Sequence, residues 1–421
     1  MEITDRQSVI QIIRAASSDI LSTLGGDTFS FTLGLMLLHQ THSAISFGLG
    51  AIIYPLIGLL LVVPVGNLVD THHHKKLILT SKGVGILSLV MYAFLVPYVH
   101  FPMALAVGLL IIQACCDKVT NTTYTAAIHE LVNNKHVKTL ATIEQAATAG
   151  IQLLSPVLAA ALYAWLGFEG TIRILIGTEI LVWLISASMH FYPVPVTVEE
   201  APEATTNQWR KFRLGLVYIK DHLALRALVV MGVVLNFLFS AVDVGLPYAI
   251  VQERHMGNAR LSLIMSSFAA GMLVGNLLLS VLPSFKRVLL VILRLCLVIG
   301  TGIGILGVVF LSTLNGQQLL IGLLVWGFTI GTVLAFINTP LSVYLQMTVP
   351  TELLGRVGST FSTLLQLAVP LGTLVYGFCF QNLTAGWVYL LTGIGVLLYT
   401  GWQLVIDARN GSLRSQNSPE A

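Results

Sequence analysis

Apolar runs of about twenty residues or more alternate with short polar breaks along almost the whole chain. A helix needs about 20 mostly apolar residues to cross the hydrocarbon of a bilayer. It also satisfies all of its backbone hydrogen bonds internally, which lipid demands. The pattern therefore predicts twelve spanning helices, over 15–38, 44–69, 77–98, 102–123, 140–166, 171–192, 224–249, 259–282, 287–312, 317–346, 358–381 and 386–406. Tilt and protruding ends absorb the excess length of the longer ones.

The longest polar break, Tyr192 to Arg226, holds Pro193, Pro195, Glu199, Glu200, Pro202 and Glu203, then the basic run Arg210-Lys211-Phe212-Arg213. Proline and mixed charge mark a linker that ends in a short surface helix. The expected organisation is a six-helix bundle over 1–192, a cytoplasmic linker over 193–223, a second six-helix bundle over 224–406 and a cytoplasmic tail over 407–421. The halves carry traces of each other. Gly66-Asn67-Leu68-Val69 returns as Gly275-Asn276-Leu277-Leu278, and Lys75-Lys76 as Lys286-Arg287. Pro156 and Pro370 are each followed by small residues and a tyrosine, Tyr163 and Tyr376. Parallel six-helix repeats are a mark of transporter halves.

Composition narrows the class further. The chain is 55% hydrophobic and 10% charged, with a mean hydropathy of +0.84. Globular domains carry about 25% charged residues, so lipid must be the solvent for much of this surface. The net charge is only +3, and no basic domain or RNA-binding motif suggests a nucleic-acid partner. Of the 22 lysines and arginines, only Arg173, Arg254 and Arg260 fall on the outer side when both termini are placed in the cytoplasm, and Lys118 lies within a span. The other 18, among them Lys75, Lys76, Lys82 and Arg356, fall at cytoplasmic ends, as the positive-inside rule requires. The segment Met1 to Asp19 lacks the charge order of a cleaved signal peptide, so the first span is expected to direct insertion. Cys115, Cys116, Cys296 and Cys379 all lie in apolar runs and read as buried thiols.

Four stretches carry a resemblance. Gly66-Asn67-Leu68-Val69-Asp70, followed by His72-His73-His74-Lys75-Lys76, resembles the loop between the second and third helices of the major facilitator superfamily. Ser22-Thr23-Leu24-Gly25-Gly26-Asp27 is similar to the S-x-L-G-D signature of its bacterial drug-efflux members. Ala127-Ile128-His129-Glu130-Leu131-Val132 is similar to their A-x-x-P-E-L-V segment, with His129 in place of proline. Asn338-Thr339-Pro340, Gln346, Val349-Pro350-Thr351-Glu352 and Gly355-Arg356-Val357 follow the pattern of the macrolide-efflux-type branch. Two departures stand out. Thr71 follows the loop aspartate where the family has arginine, and Ser155-Pro156 with Ala159-Ala160 replaces the glycine-rich motif of span five.

The resemblance implies an all-α membrane protein of the major facilitator fold, with spans one, four, seven and ten around a cavity and alternating access between the halves. It implies that Gly66, Asp70, Lys75, Lys76 and Arg356 form a cytoplasmic latch, Asp70 meeting the start of span eleven. Pro156 and Pro370 would bend spans five and eleven, since proline removes a donor from the helical ladder.

Candidate chemistry rests on ionisable residues inside spans, which are costly and by default functional. Asp27 lies mid-span in the first helix and reads as a proton carrier or cation contact, or else as a carboxylate satisfied by neighbours such as Asn236. Asp117 and Lys118 lie in span four and Glu144 in span five; Lys118 reaches the interface or meets Glu144, closing an inner gate, or else these groups contact the substrate or couple protons. Asp243, near Tyr248, reads equally as a helix-end charge or a gate. Glu179 lies in span six, which the resemblance places at the bundle periphery. Gln152, Asn236, Asn338, Tyr344, Gln346 and Gln366 line a cavity or bridge helices. The triple histidine reads as a solvated basic turn, and no metal or other cofactor is expected. No nucleotide-binding P-loop, nucleophile elbow or zinc-protease motif is visible, so the chain is expected to be a transporter and not an enzyme.

The apolar spans predict a multi-pass membrane protein, and the resemblance implies that it is a monomer of the cell membrane that exports amphipathic small molecules, multidrug or macrolide-like, against protons. A transporter of an endogenous solute or lipid, such as a lysophospholipid or siderophore, is the alternative. A non-transporting sensor is a third and weaker one.

Overall fold

A computed structural model describes residues 4–96, 98, 102–192, 208–282, 285 and 287–410. The described residues form helices and connecting turns, with no strand among them. In chain order these are α1 (Asp5–Thr41), α2 (Ala44–Phe47), α3 (Leu49–Leu60), α4 (Val62–Thr71), α5 (His74–Leu95), α6 (Pro102–Ala126), α7 (Ile128–Leu131) and α8 (Asn134–Ser188). There follow α9 (Gln208–Asp221), α10 (Leu223–Tyr248), α11 (Asn258–Val281), α12 (Val288–Leu311), α13 (Gly316–Thr348), α14 (Thr351–Asn382) and α15 (Ala385–Asn410). A π-turn, Ala249–Glu253, extends α10.

Among the described residues ten helices are long and apolar enough to cross a membrane, or eleven if the bent pair α3 and α4 is one span. The expected count of twelve differs for a physical reason. The 55-residue α8 holds Gly167 at φ +66°, a left-handed conformation that an L residue strains to adopt. At 1.5 Å per residue, α8 as one rod would extend far beyond a hydrocarbon layer of about 30 Å. Divided at Gly167, it supplies two crossings, which correspond to the expected spans five and six. The expected second span, 44–69, is broken at Gly48 and Leu61, with a 60° bend between its two main pieces. Large apolar side chains remain exposed on many helices, among them Leu60, Phe94, Trp165, Leu277, Phe378 and Leu398. That is the surface of a protein dissolved in lipid.

The helices divide into two units, one of Met1–Gln40 with Leu49–Lys211 and one of Thr41–Gly48 with Phe212–Ala421. Part of the linker, 193–207, and the tail from 411 lie outside the described residues. The C-terminal part of the linker is α9.

The first unit packs Phe29, Leu33, Met36, Leu89, Tyr92, Leu109 and Leu175 into one core, joining α1, α5, α6 and α8. A second cluster joins Ile12, Ala15 and Ala16 of α1 to Leu131, Val132, Leu140 and Met189.

The second unit is held by glycine contacts. A methyl group built on Gly271 of α11 would fall on the backbone carbonyl of Phe328 in α13. One on Gly331 of α13 would fall on that of Phe268 in α11. The pair α12 and α15 is similar: a Cβ at Gly307 would lie 2.5 Å from the nitrogen of Leu390, and one at Gly393 2.5 Å from that of Gly304. Lipid tails give helices no hydrophobic reason to associate, so close van der Waals approach takes that place. Asn315 starts α13 with a capping box, accepting from the nitrogens of Gln317 and Gln318 at 3.2 and 2.9 Å.

Candidate functional site

Most of the candidate carboxylates inside the spans gather in the first unit, with Asp243 on α10 of the second. Lys82 of α5 is buried, with 6% of its surface exposed. Its Nζ donates to Glu179 Oε2 of α8 at 3.1 Å and to Ser22 Oγ of α1. Three helices thus meet through one ammonium group. Taking two charges out of water is expensive, and the pair is tolerable because each partner neutralises the other. Gly25 lies on the same stretch of α1: a Cβ there would stand 3.6 Å from the other carboxylate oxygen of Glu179. The S-x-L-G-G-D stretch of α1 thus runs alongside the ion pair.

Further carboxylates surround it. Asp117 of α6 lies in the field of Lys82, Glu179 and Asp27. Tyr54 of α3 lies in the field of Asp117, Asp27 and Glu179. Asp19 lies in the field of Lys82, and Glu144 of α8 in that of Asp19. Asp27 itself keeps an exposed side chain, whereas Asp19, Asp117 and Glu144 are half-buried. Below the pair, Tyr124 Oη and Ser186 Oγ are 3.0 Å apart, and Ser186 and Ser18 are again 3.0 Å apart. Trp183 Nε1 donates to the carbonyl of Leu79 at 3.0 Å, tying α8 to α5 beside Lys82.

Two sequence expectations change here. Lys82 was assigned to a cytoplasmic helix end, yet it is a buried partner of an ion pair. Glu179, expected at the bundle periphery, is the other partner. The sequence marked Glu179 as a lone carboxylate inside an apolar run, whereas Lys82, near the start of its span, read as an ordinary lysine of a cytoplasmic end. Lys118 is half-buried, and the described residues show no ion pair between it and Glu144. Adjacent positions on a helix point about 100° apart, so Asp117 turns toward Lys82 while Lys118 does not.

The other candidates are placed as follows. Asp70 is exposed at the end of α4 and belongs to the first unit, with Gly66 one turn before it. Lys75 and Lys76 open α5, and Lys75 Nζ donates to the carbonyl of Met189 at 2.8 Å. Arg356 lies on α14 in the second unit; its side chain, with those of His129, Gln152 and Gln346, lies outside the description. Asn236 of α10 donates to the carbonyl of Gly232 at 2.8 Å, within its own helix. Asp243 of α10 retains accessible surface. Pro156 and Pro370 lie inside α8 and α14. Among the described residues no group of three or more histidines, cysteines and carboxylates could hold a metal ion.

Helices of this length, a charged network inside their apolar spans and a profile match over residues 16–373 converge on one family. The chain belongs to the Major Facilitator Superfamily. Among curated relatives, macrolide efflux protein A of Streptococcus pyogenes is 23% identical over 337 residues, covering 78% of this chain and 79% of that one. Solved structures share the fold. The nucleoside transporter NupG superposes with a TM-score of 0.63 at 15% identity, covering 94% of this chain and 99% of that one. The D-xylose-proton symporter superposes at 0.62 and 14% identity, covering 93% and 97%. A member of this superfamily is a multi-pass transporter that takes small-molecule substrates within the membrane. At these identities the structural likeness shows the fold alone.

Proposed function

We propose that this superfamily member exports amphipathic small molecules, multidrug or macrolide-like, in exchange for protons. One observation carries the reading: the network of Lys82, Glu179, Asp117, Asp19 and Asp27 inside the spans of the first unit. An ion pair surrounded by further carboxylates offers sites for a proton and for a cationic group of the cargo. Either can be exchanged for the other at nearly constant charge. Asp27 is the member with an exposed side chain, so it is the proposed point of exchange, and Asp117 is the proposed relay toward Lys82. Similarity to a macrolide efflux protein supports the direction and the cargo class.

The reading includes a monomer in the cell membrane with both termini cytoplasmic, working by alternating access. Asp70 with Arg356 would form the latch, and Asp243 would serve the gate of the second unit. One charge crossing 100 mV supplies about 2.3 kcal/mol, enough to make uphill export worthwhile.

The test is efflux of lipophilic cationic dyes and macrolides from pump-deficient bacteria, with and without a protonophore. Asp27→Asn is expected to abolish proton-dependent efflux, a loss of about a hundredfold or more on the scale of a removed essential acid–base group, with membrane levels unchanged. Full efflux by Asp27→Asn, or efflux indifferent to the protonophore, would overturn the proposal. Absence of efflux for every compound, in a well-expressed wild type, would move the assignment to an endogenous solute or lipid.

A further inference from the structure

The seam between α1 and the second half of α8 carries polar groups that the ion pair does not use. Its register follows from the contacts along it. Arg14 Nη1 donates to the carbonyl of Ser188 at 2.6 Å, and the hydroxyls of Ser18 and Ser186 are 3.0 Å apart. A Cβ at Gly25 would lie 3.8 Å from Thr178 Cγ2. Positions rise along α1 as they fall along α8, so the two run antiparallel. Phe29 and Leu33 pack in one cluster with Leu175 and Ile172, which continues the same register. All of these residues lie in the first unit.

Thr28 and Thr32 lie one and two turns beyond Gly25 on this face of α1. They are 3% and 0% exposed. Neither hydroxyl has a hydrogen-bond partner among the described residues. Other helical threonines of the unit behave differently. Thr123, Thr148, Thr171 and Thr178 each donate to the carbonyl one turn back. Thr28 and Thr32 hold their hydroxyls off their own backbone, although a buried hydroxyl without a partner is costly and lipid offers none.

Glu179 supplies the next polar atom of the seam. Its Oε2 takes the Lys82 ammonium, and its Oε1 lies 3.6 Å from where a Cβ at Gly25 would stand. Helix positions one turn apart have Cβ atoms about 5–6 Å apart. One water molecule bridges such a gap with two hydrogen bonds of about 2.8 Å, and a buried water needs roughly two to four polar partners. Oε1, Thr28 and Thr32 follow one another at that spacing. The row then continues through Met36, buried, to Gln40, exposed.

We propose that Glu179 exchanges protons along this seam, by a relay of Thr32, water, Thr28 and water, and that Met36 is the apolar plug closing its Gln40 end. A proton enters at Thr32. Each hydroxyl and water takes up one proton and passes on another, and the carboxylate of Glu179 becomes the acid at Oε1. Lys82 keeps its proton and loses its counter-charge. Release from Glu179 reverses the step. The relay rests on the proton-driven reading above for its role in export, and it adds a proton site other than Asp27.

The experiment uses the full-length protein in liposomes. A photolysed caged acid lowers the pH, and time-resolved infrared spectroscopy follows the carboxylic-acid band that Glu179→Gln removes. Thr28→Val keeps the shape of the side chain and removes its hydroxyl. It should slow the appearance of the band by about a hundredfold, the scale of a lost proton-transfer group, and Thr32→Val should act alike. Thr28→Ser keeps the hydroxyl and should react near the wild-type rate. Met36→Thr should speed the band, and adding Thr28→Val should cancel that gain. A wild-type rate in both valine variants, equal slowing in Thr28→Ser, or no band that Glu179→Gln removes would each overturn the relay. Dye efflux with a protonophore tests the exporter reading separately. Efflux indifferent to the protonophore, beside a Glu179 band that Thr28→Val slows, would overturn that reading and leave the relay standing.

Discussion

Replacing Lys82 with methionine is expected to lower the unfolding free energy by about 3–5 kcal/mol and to abolish transport. The side chains of Lys82 and Glu179 are only 7% and 14% exposed, so solvent screens the pair little. Methionine keeps the length and apolar stem but removes the charge. Glu179 then stays in the membrane with no cation, in the field that Asp117 and Asp27 also feel. Ser22 loses its donor as well. The double variant Lys82→Met/Glu179→Gln should recover most of the lost stability, because exchanging a whole buried pair for neutral groups is often close to neutral. It should not recover transport if the network carries protons or cargo. Unfolding midpoints of the purified proteins measure the first effect, and dye efflux the second. A wild-type midpoint for Lys82→Met would show that the pair contributes nothing to the fold. Recovery of efflux in the double variant would confine the pair to a structural role.

The fold was legible because lipid imposes one rule on every span: enough apolar residues, helically bonded. That rule gave the helices of both units without any knowledge of packing. It also placed the division of α8, between the runs ending at 166 and beginning at 171, although the positive φ of Gly167 that makes it has no hydropathic signature. It missed the break inside the second span. The bend between α3 and α4 falls in a run with no charge to mark it.

The candidate site was legible by residue type and only partly by partner. Asp27 and Asp117 stood out as carboxylates in apolar surroundings. Lys82 did not, because a lysine near the start of a span is what the positive-inside rule leads one to expect. Burial depends on which neighbours face it, and that is a tertiary property. The same holds for Glu179, which a peripheral helix can still aim inward. Spacing on a single helix cannot reveal a contact between residues separated by 97 positions.

Gly331→Ala is expected to destabilise the protein by about 1–3 kcal/mol, the range of an overpacked core, although it adds a single methyl group. The contact it breaks is with backbone, the carbonyl of Phe268. No rotamer change relieves that clash, so α11 and α13 must move apart along their length. Gly271→Ala strikes the same interface from the other side, at the carbonyl of Phe328. The two together should therefore cost less than their sum, since the first displacement makes room for the second. Gly322→Ala, where a Cβ meets nothing within 4 Å, should leave the unfolding midpoint the same or slightly raised, since alanine is the better helix former there. Transport separates this effect from that of the charged network. The Gly331→Ala protein should lose activity in proportion to the folded protein lost, retaining normal efflux per folded molecule. Lys82→Met/Glu179→Gln should do the reverse, with folded protein largely restored and efflux per molecule absent. If Gly331→Ala instead folded normally and failed to transport, the glycine contacts would belong to the moving parts of the second unit, not to the cohesion that the sequence otherwise leaves to close packing.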